Sequence, residues 1–125
     1  MKKISVLMSA MLFVFLTACG EAKVPFDAVP GNPTNLTAVL NPDKSITLTW
    51  TAAANVSNGY SIARAALFAP NDSIGAWFSI GNTAASIVTF KDSSSIQAGL
   101  KYRYRVQGNN GTKQSDGATF DIVVP

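Results

Sequence analysis

Few residues in this chain could make or break a covalent bond. There is one cysteine, Cys19, and no histidine among 125 residues. The absence of histidine removes the usual general base, the commonest zinc ligand and any Ser-His-Asp triad. The acids Glu21, Asp27, Asp43, Asp72, Asp92, Asp116 and Asp121 are scattered, with no calcium-loop spacing and no phosphate-binding glycine motif. The sequence therefore predicts no enzyme, no metal site and no cofactor. What remains is a single thiol, a pair of adjacent aromatics at Trp77 and Phe78, and three alternating cations at Lys101, Arg103 and Arg105. The thiol suits a modification, and the others suit contact.

The thiol sits at the end of a targeting signal. Met1, Lys2 and Lys3 precede an apolar run from Ile4 to Leu16. This is a basic n-region followed by an h-region, shorter than the roughly 20 apolar residues that a spanning helix needs. Leu16, Thr17, Ala18 and Cys19 then resemble the lipobox of bacterial lipoproteins, Thr17 departing mildly from the commoner small residue. The resemblance implies cleavage before Cys19, a diacylglyceryl group on its sulfur and an acylated new amine. A thiolate is a good nucleophile for that transfer, and two or more chains hold to a bilayer where one does not. Gly20 stands where an aspartate would favour inner-membrane retention, so the family's sorting rule implies the outer membrane, facing the periplasm or the cell surface.

Cleavage would leave 107 residues, one ordinary domain. It would also remove Lys2 and Lys3, leaving eight basic against seven acidic side chains. The high isoelectric point is thus no argument for nucleic acid, and no thiol is left for a disulfide. The expected organisation is a signal peptide over 1–18, a lipidated tether over 19–32 and a domain over 33–125. The tether carries Pro25, Pro30 and Gly31 and reaches at most roughly 45 Å.

From Pro33 onward the pattern is of strands. In "SITLTW" Ile46, Leu48 and Trp50 face one way, with Ser45, Thr47 and Thr49 opposite. "NPDK" before it is a turn. "GYSI" sets Tyr60 with Ile62, "SIVTF" offers Val88 and Phe90, "YRYRV" sets Tyr102, Tyr104 and Val106 against Arg103 and Arg105, and "ATFDIVV" groups Phe120, Ile122 and Val124. No segment carries a helical period, and short strands at near-regular spacing predict an all-β sandwich.

Pro33 with Leu36, "ITLTW", "GYSIAR" and "FKDSSSIQAGLKYRYRVQGNNG" together resemble the fibronectin type III family. The resemblance spans Pro33 to Pro125. It implies an immunoglobulin-like β-sandwich of about seven strands, with sheets A-B-E and C′-C-F-G. Tyr102 is implied as the tyrosine-corner residue, and Asp92, Ile96, Tyr104 and Val106 fall at expected places. Two departures stand out: Gly108 lies where the family usually has alanine, and Ala65 to Ala85 matches no signature. Family members act mostly as binding or spacer modules.

Three stretches are candidates for contact. In "FAPNDSIGAWFSIGN", Trp77 and Phe78 point to opposite faces if extended, so one should be exposed beside Asn71, Asp72 and Asn82. The row Lys101, Arg103 and Arg105 is the second, with Asp121 a prospective partner on the last strand. The third is "GNNGTKQSDG", Gly108 to Gly117, between the last two strands. The leading expectation is a lipid-anchored envelope module that binds a protein partner. A structural spacer and a polysaccharide-binding module are the alternatives, and nucleic acid is not expected as a partner.

Overall fold

The structure is a computed structural model that describes residues 28–125. The expected signal, Cys19 and the tether as far as residue 27 lie outside the described residues. Nine strands form two sheets: β1 (Thr34–Leu40), β2 (Ile46–Thr51), β3 (Tyr60–Phe68), β4 (Ser73–Ile74), β5 (Phe78–Thr83), β6 (Thr89–Asp92), β7 (Lys101–Asn110), β8 (Lys113–Gln114) and β9 (Ala118–Val123). Two of these, β4 and β8, are two-residue strands, so seven longer strands carry the sandwich.

One sheet has the order β1-β2-β6. In the other, β3 pairs with β7 on one side and with β4 and β5 on the other, and β9 pairs with β7. These are the expected A-B-E and C′-C-F-G sheets. Strand β6 begins at Thr89, so Val88 lies just ahead of it and accepts a bond from the Trp50 amide.

Alternation decides what lies between the sheets. Ile46, Leu48 and Trp50 from β2 meet Tyr60 and Ile62 from β3 and Tyr102, Tyr104 and Val106 from β7, all buried. Phe90, Phe120 and Ile122 pack around them, partly buried. Trp50 and Tyr60 meet edge to face, with centroids 5.4 Å apart, the geometry the ring quadrupoles favour. The Tyr60 hydroxyl accepts the Ala53 amide.

Tyr102 forms the implied corner, its hydroxyl accepting the Gln97 amide at 2.9 Å. Tyr102→Phe would leave that N–H without its partner. We expect a loss of about 1 kcal/mol in urea unfolding, with the sandwich retained.

The folded unit begins earlier than Pro33, where the sequence places its start. Pro30 is buried, the Gly31 amide donates to Ala54 O at 2.9 Å, and the Asn110 side chain donates to Ala28 O at 2.9 Å. The Gly117 amide also reaches the Asn32 side chain at 2.8 Å. Residues 28–32 are thus part of the folded unit. They also explain Gly108: a Cβ there would lie 3.2 Å from Gly31 O and 2.6 Å from Val56 Cγ2. The departure from alanine makes room for the docked N-terminal segment.

Candidate binding surface

Strand β3 is the spine of the larger sheet. On the face turned away from the core it carries Ala63, Ala65 and Leu67, all nearly as buried as core residues. Trp77 immediately precedes β5, in line with Ala65 by continuation of the register that sets Ser79 against Ala63 and Phe78 against Arg64. The Arg105 guanidinium carbon lies 4.3 Å from the centre of the Trp77 ring. Arg105 is itself opposite Ala63 in the β3–β7 register. The two small alanines leave the space that the indole and the stacked guanidinium occupy, and Trp77 is half-buried there.

Phe78 points to the other face and is 64% exposed. Phe68, also on that face by its register, is 48% exposed. Ile74, opposite Leu67 on the outer face, is also exposed. The margin formed by β4 and β5 therefore presents apolar side chains on both faces.

The row of cations is not open. Lys101 bonds Asp72 at 2.8 Å. Arg103 grips Asp121 with two bonds of 2.7 and 2.9 Å. That bidentate contact holds the Asp121 carboxyl below the usual carboxylate range and raises Arg103. Only Arg105, of the three, has no carboxylate among the described residues, and its Nε is buried with no hydrogen-bond partner. Arg103 and Asp121 are an ordinary cross-strand pair, and Lys101 is met by the turn between β3 and β4.

The amides expected beside an exposed aromatic are dispersed. Asn71 and Asp72 lie in the turn between β3 and β4, and Asp72 is committed to Lys101. Asn82 pairs in register with Ser61, on the face opposite to Phe78. The stretch Gly108 to Gly117 is a pinned hairpin rather than an open loop. Its β7–β8 pairing is supported by bonds between Gly108 and Ser115 in both directions, and by Gln114 on Asn109.

Sequence reasoning missed one cluster. Arg64, Asp92 and Tyr104 meet on the core side near the same margin, with Arg64 stacked 5.0 Å over Tyr102. The signal was present: residues 60, 62 and 64 share a face, so Arg64 falls on the side that Tyr60 and Ile62 mark as interior. The cluster offers no acid–base chemistry to a substrate, because Asp92 is 2% exposed. A mostly apolar hollow of about 520 Å³ lies at the end where β1 finishes and β7 begins, lined by Leu40, Pro42, Ile96, Ala98 and Val124 among others. None of the sequence candidates reaches it. Among the described residues no three His, Cys, Asp or Glu side chains gather as a metal would require.

No protein-family model and no curated protein matches the sequence. Solved structures do. A fibronectin type III-like protein from Clostridium thermocellum is 25% identical, with a TM-score of 0.61 over 78% of this chain and 96% of that one. A fibronectin type III domain of human collagen XX is 17% identical, with a TM-score of 0.59 over 74% of this chain and 88% of that one. The twitchin kinase region of C. elegans is 18% identical, with a TM-score of 0.62 over 78% of this chain and 17% of that much longer one. The fold is thus a fibronectin type III β-sandwich.

Proposed function

We propose that this fibronectin type III sandwich is a non-catalytic binding module, held at a bacterial membrane through lipidated Cys19, that docks an envelope protein on its β4–β5 margin. The observation that carries the reading is the exposure of Phe78 at 64%, with Phe68 at 48% and Ile74 at 46% exposed further along the same margin. Single exposed apolar residues are ordinary, but a group of them with two aromatics at one sheet margin suits a protein interface. The anchor rests on the lipobox resemblance of Leu16 to Cys19.

The docked N-terminal segment says which surfaces such an anchor would leave free. Ala28 to Asn32 are fastened beside Ala54, Asn110 and Gly117. Residues 20–27 can span at most about 28 Å. The pole with the β7–β8 hairpin would then lie close to the bilayer. The β4–β5 margin would run along the flank, open to a neighbour in the envelope. A carbohydrate platform has less behind it, since one face of Trp77 is covered by Arg105 and Asn82 lies on the face opposite to Phe78.

The test is photo-crosslinking in native cells, with a photoreactive phenylalanine analogue at position 78 and at position 39 as control. Val39 is 58% exposed on the other sheet. A specific envelope protein captured from 78 and not from 39, and lost when Phe68→Ala is added to the chain carrying the analogue at 78, is the expected result. Capture should also fall when Cys19→Ala releases the chain. Equal, unspecific capture from both positions would leave the spacer reading in its place.

A further inference from the structure

We propose that the occupant of this margin is an acidic polypeptide in extended conformation, paired as an added strand along the free edge of β5; the inference rests on the binding reading above. Three observations converge on it.

The first is the edge itself. Among the described residues β5 pairs on one side only, with β3. Exposed edges are ordinarily blunted by lysine, proline or an inward charge. Phe78 to Thr83, "FSIGNT", contains none of these. A bulge at Ile80, where the register with β3 shifts between Ile62 and Ala63, is its one irregularity, and the outer backbone groups on either side of it are a template for strand addition.

The second is the chemistry on its two faces. Successive side chains of an added strand would alternate, one set toward Phe78 and the other toward Trp77. The Phe78 side calls for apolar groups. On the Trp77 side the waiting group is a guanidinium. Arg105 belongs to β7, two strands inward, and its guanidinium stacks on Trp77 above the small alanines of β3. A glutamate on a strand about 4.8 Å beyond β5 would lie on the same face, near enough to be drawn to that charge across the indole.

The third is charge. Arg64, Lys91, Lys101 and Arg103 each hold a carboxylate of this chain. Arg105 holds none among the described residues, and its Nε lacks any partner. The indole fixes the guanidinium plane, so little side-chain freedom is lost when a carboxylate binds. A second copy is a poorer occupant: strand β5 carries no acid, so β5-to-β5 pairing brings Arg105 no counter-charge.

The test uses the full chain, Cys19 included, in detergent micelles. The probe is a short capped peptide alternating glutamate with valine. Controls are the same peptide with glutamine for glutamate, and a version N-methylated along one edge. We expect the acidic peptide to shift and protect amides of Ser79 to Asn82 in nuclear magnetic resonance spectra. The glutamine peptide should bind about fivefold more weakly, as befits attraction to one nearby charge, and the N-methylated peptide not at all. Arg105→Gln should bring the acidic peptide down to the glutamine value and cost the glutamine peptide nothing further, while Arg105→Lys restores part of the difference. The peptide controls leave the protein untouched, so a folding defect in either variant cannot imitate the result. No binding at millimolar peptide, shifts away from β5, indifference to Arg105→Gln, or dimerisation through β5 would each overturn the inference. A partner crosslinked at position 78 whose binding ignores Arg105→Gln would do so too, while leaving the binding reading intact.

Discussion

Asp92→Ala is expected to remove about 3 to 5 kcal/mol of stability, a large share of what a domain of this size has. The reason is what the carboxylate leaves behind. Its Oδ2 accepts from Arg64 Nη1 at 2.7 Å and from the Tyr104 hydroxyl at 2.6 Å. Its Oδ1 accepts the Ser94 amide at 3.0 Å and the Ser94 hydroxyl at 2.6 Å. Arg64 is 13% exposed, so water replaces the lost charge only in part, and the neutral Ser94 O is its other acceptor. Removing the charge on both sides, as in Arg64→Leu/Asp92→Asn, should cost less than Asp92→Ala alone, because no ion is then left buried and unpaired.

The same cluster sets a pH dependence. Burial pushes Asp92 up, but the Ser94 hydroxyl and amide, the Tyr104 hydroxyl and Arg64 together outweigh it and hold the carboxyl below its usual range. A group with a depressed folded pKa stabilises fully above its unfolded value, near 3.8 for aspartate, and that stability is lost as pH falls through the folded value. Asp43, lowered to about 2 by the Ser45 hydroxyl and amide and by Lys91, adds to the same acid limb. At high pH the sign is reversed. Burial, then the Asp92 carboxylate, raise the Tyr104 phenol far above its usual range. Stability should be complete below about pH 10 and fall as pH rises beyond it. Urea unfolding across pH checks both limbs. Asp92→Asn should flatten the acid limb and Tyr104→Phe the alkaline one; an unchanged acid limb in Asp92→Asn would mean that Asp92 does not carry it.

The parts of this molecule legible in the sequence are those governed by alternation. Ile46, Leu48 and Trp50, or Tyr102, Tyr104 and Val106, declare a buried face by period alone, and enough such runs in order specify a two-sheet sandwich. The corner role of Tyr102 came from the resemblance to fibronectin type III domains rather than from alternation. The candidate surface was less legible, because partners across strands have no local signature. Nothing near Arg105 in sequence reveals that Trp77 slides beneath it, and the space for that indole comes from Ala63 and Ala65 on a third segment. In the row Lys101, Arg103 and Arg105, Asp121 was legible as a partner on the last strand, whereas Asp72, in the turn between β3 and β4, was not. The docking of Ala28 to Asn32 was hidden for a similar reason: Pro30 and Gly31 look like linker residues until Gly108 is seen to leave room for them.

Gly59→Ala is the second substitution expected to do most damage, with a loss of about 3 kcal/mol or more. Gly59 stands just before β3 with φ at +88°, and a Cβ there would lie 1.9 Å from Thr83 O. That obstacle is backbone at the last residue of β5, so no side chain can swing aside. Gly99 supplies the control: its φ is +85°, with nothing within 4 Å of a Cβ. Gly99→Ala should therefore cost only the backbone strain, about 1 to 2 kcal/mol. The difference between the two in denaturant unfolding isolates the close approach between the start of β3 and the end of β5. That approach matters for binding as well as stability, because β5 is held in the sheet through β3 alone among the described residues. The cheapest relief of the clash moves β5, and Trp77 and Phe78 move with it. Gly59→Ala should thus weaken partner capture at position 78 even where the rest of the sandwich stays folded, while Gly99→Ala leaves capture intact. Equal destabilisation by the two substitutions, or full capture by Gly59→Ala, would show that the margin does not depend on this contact.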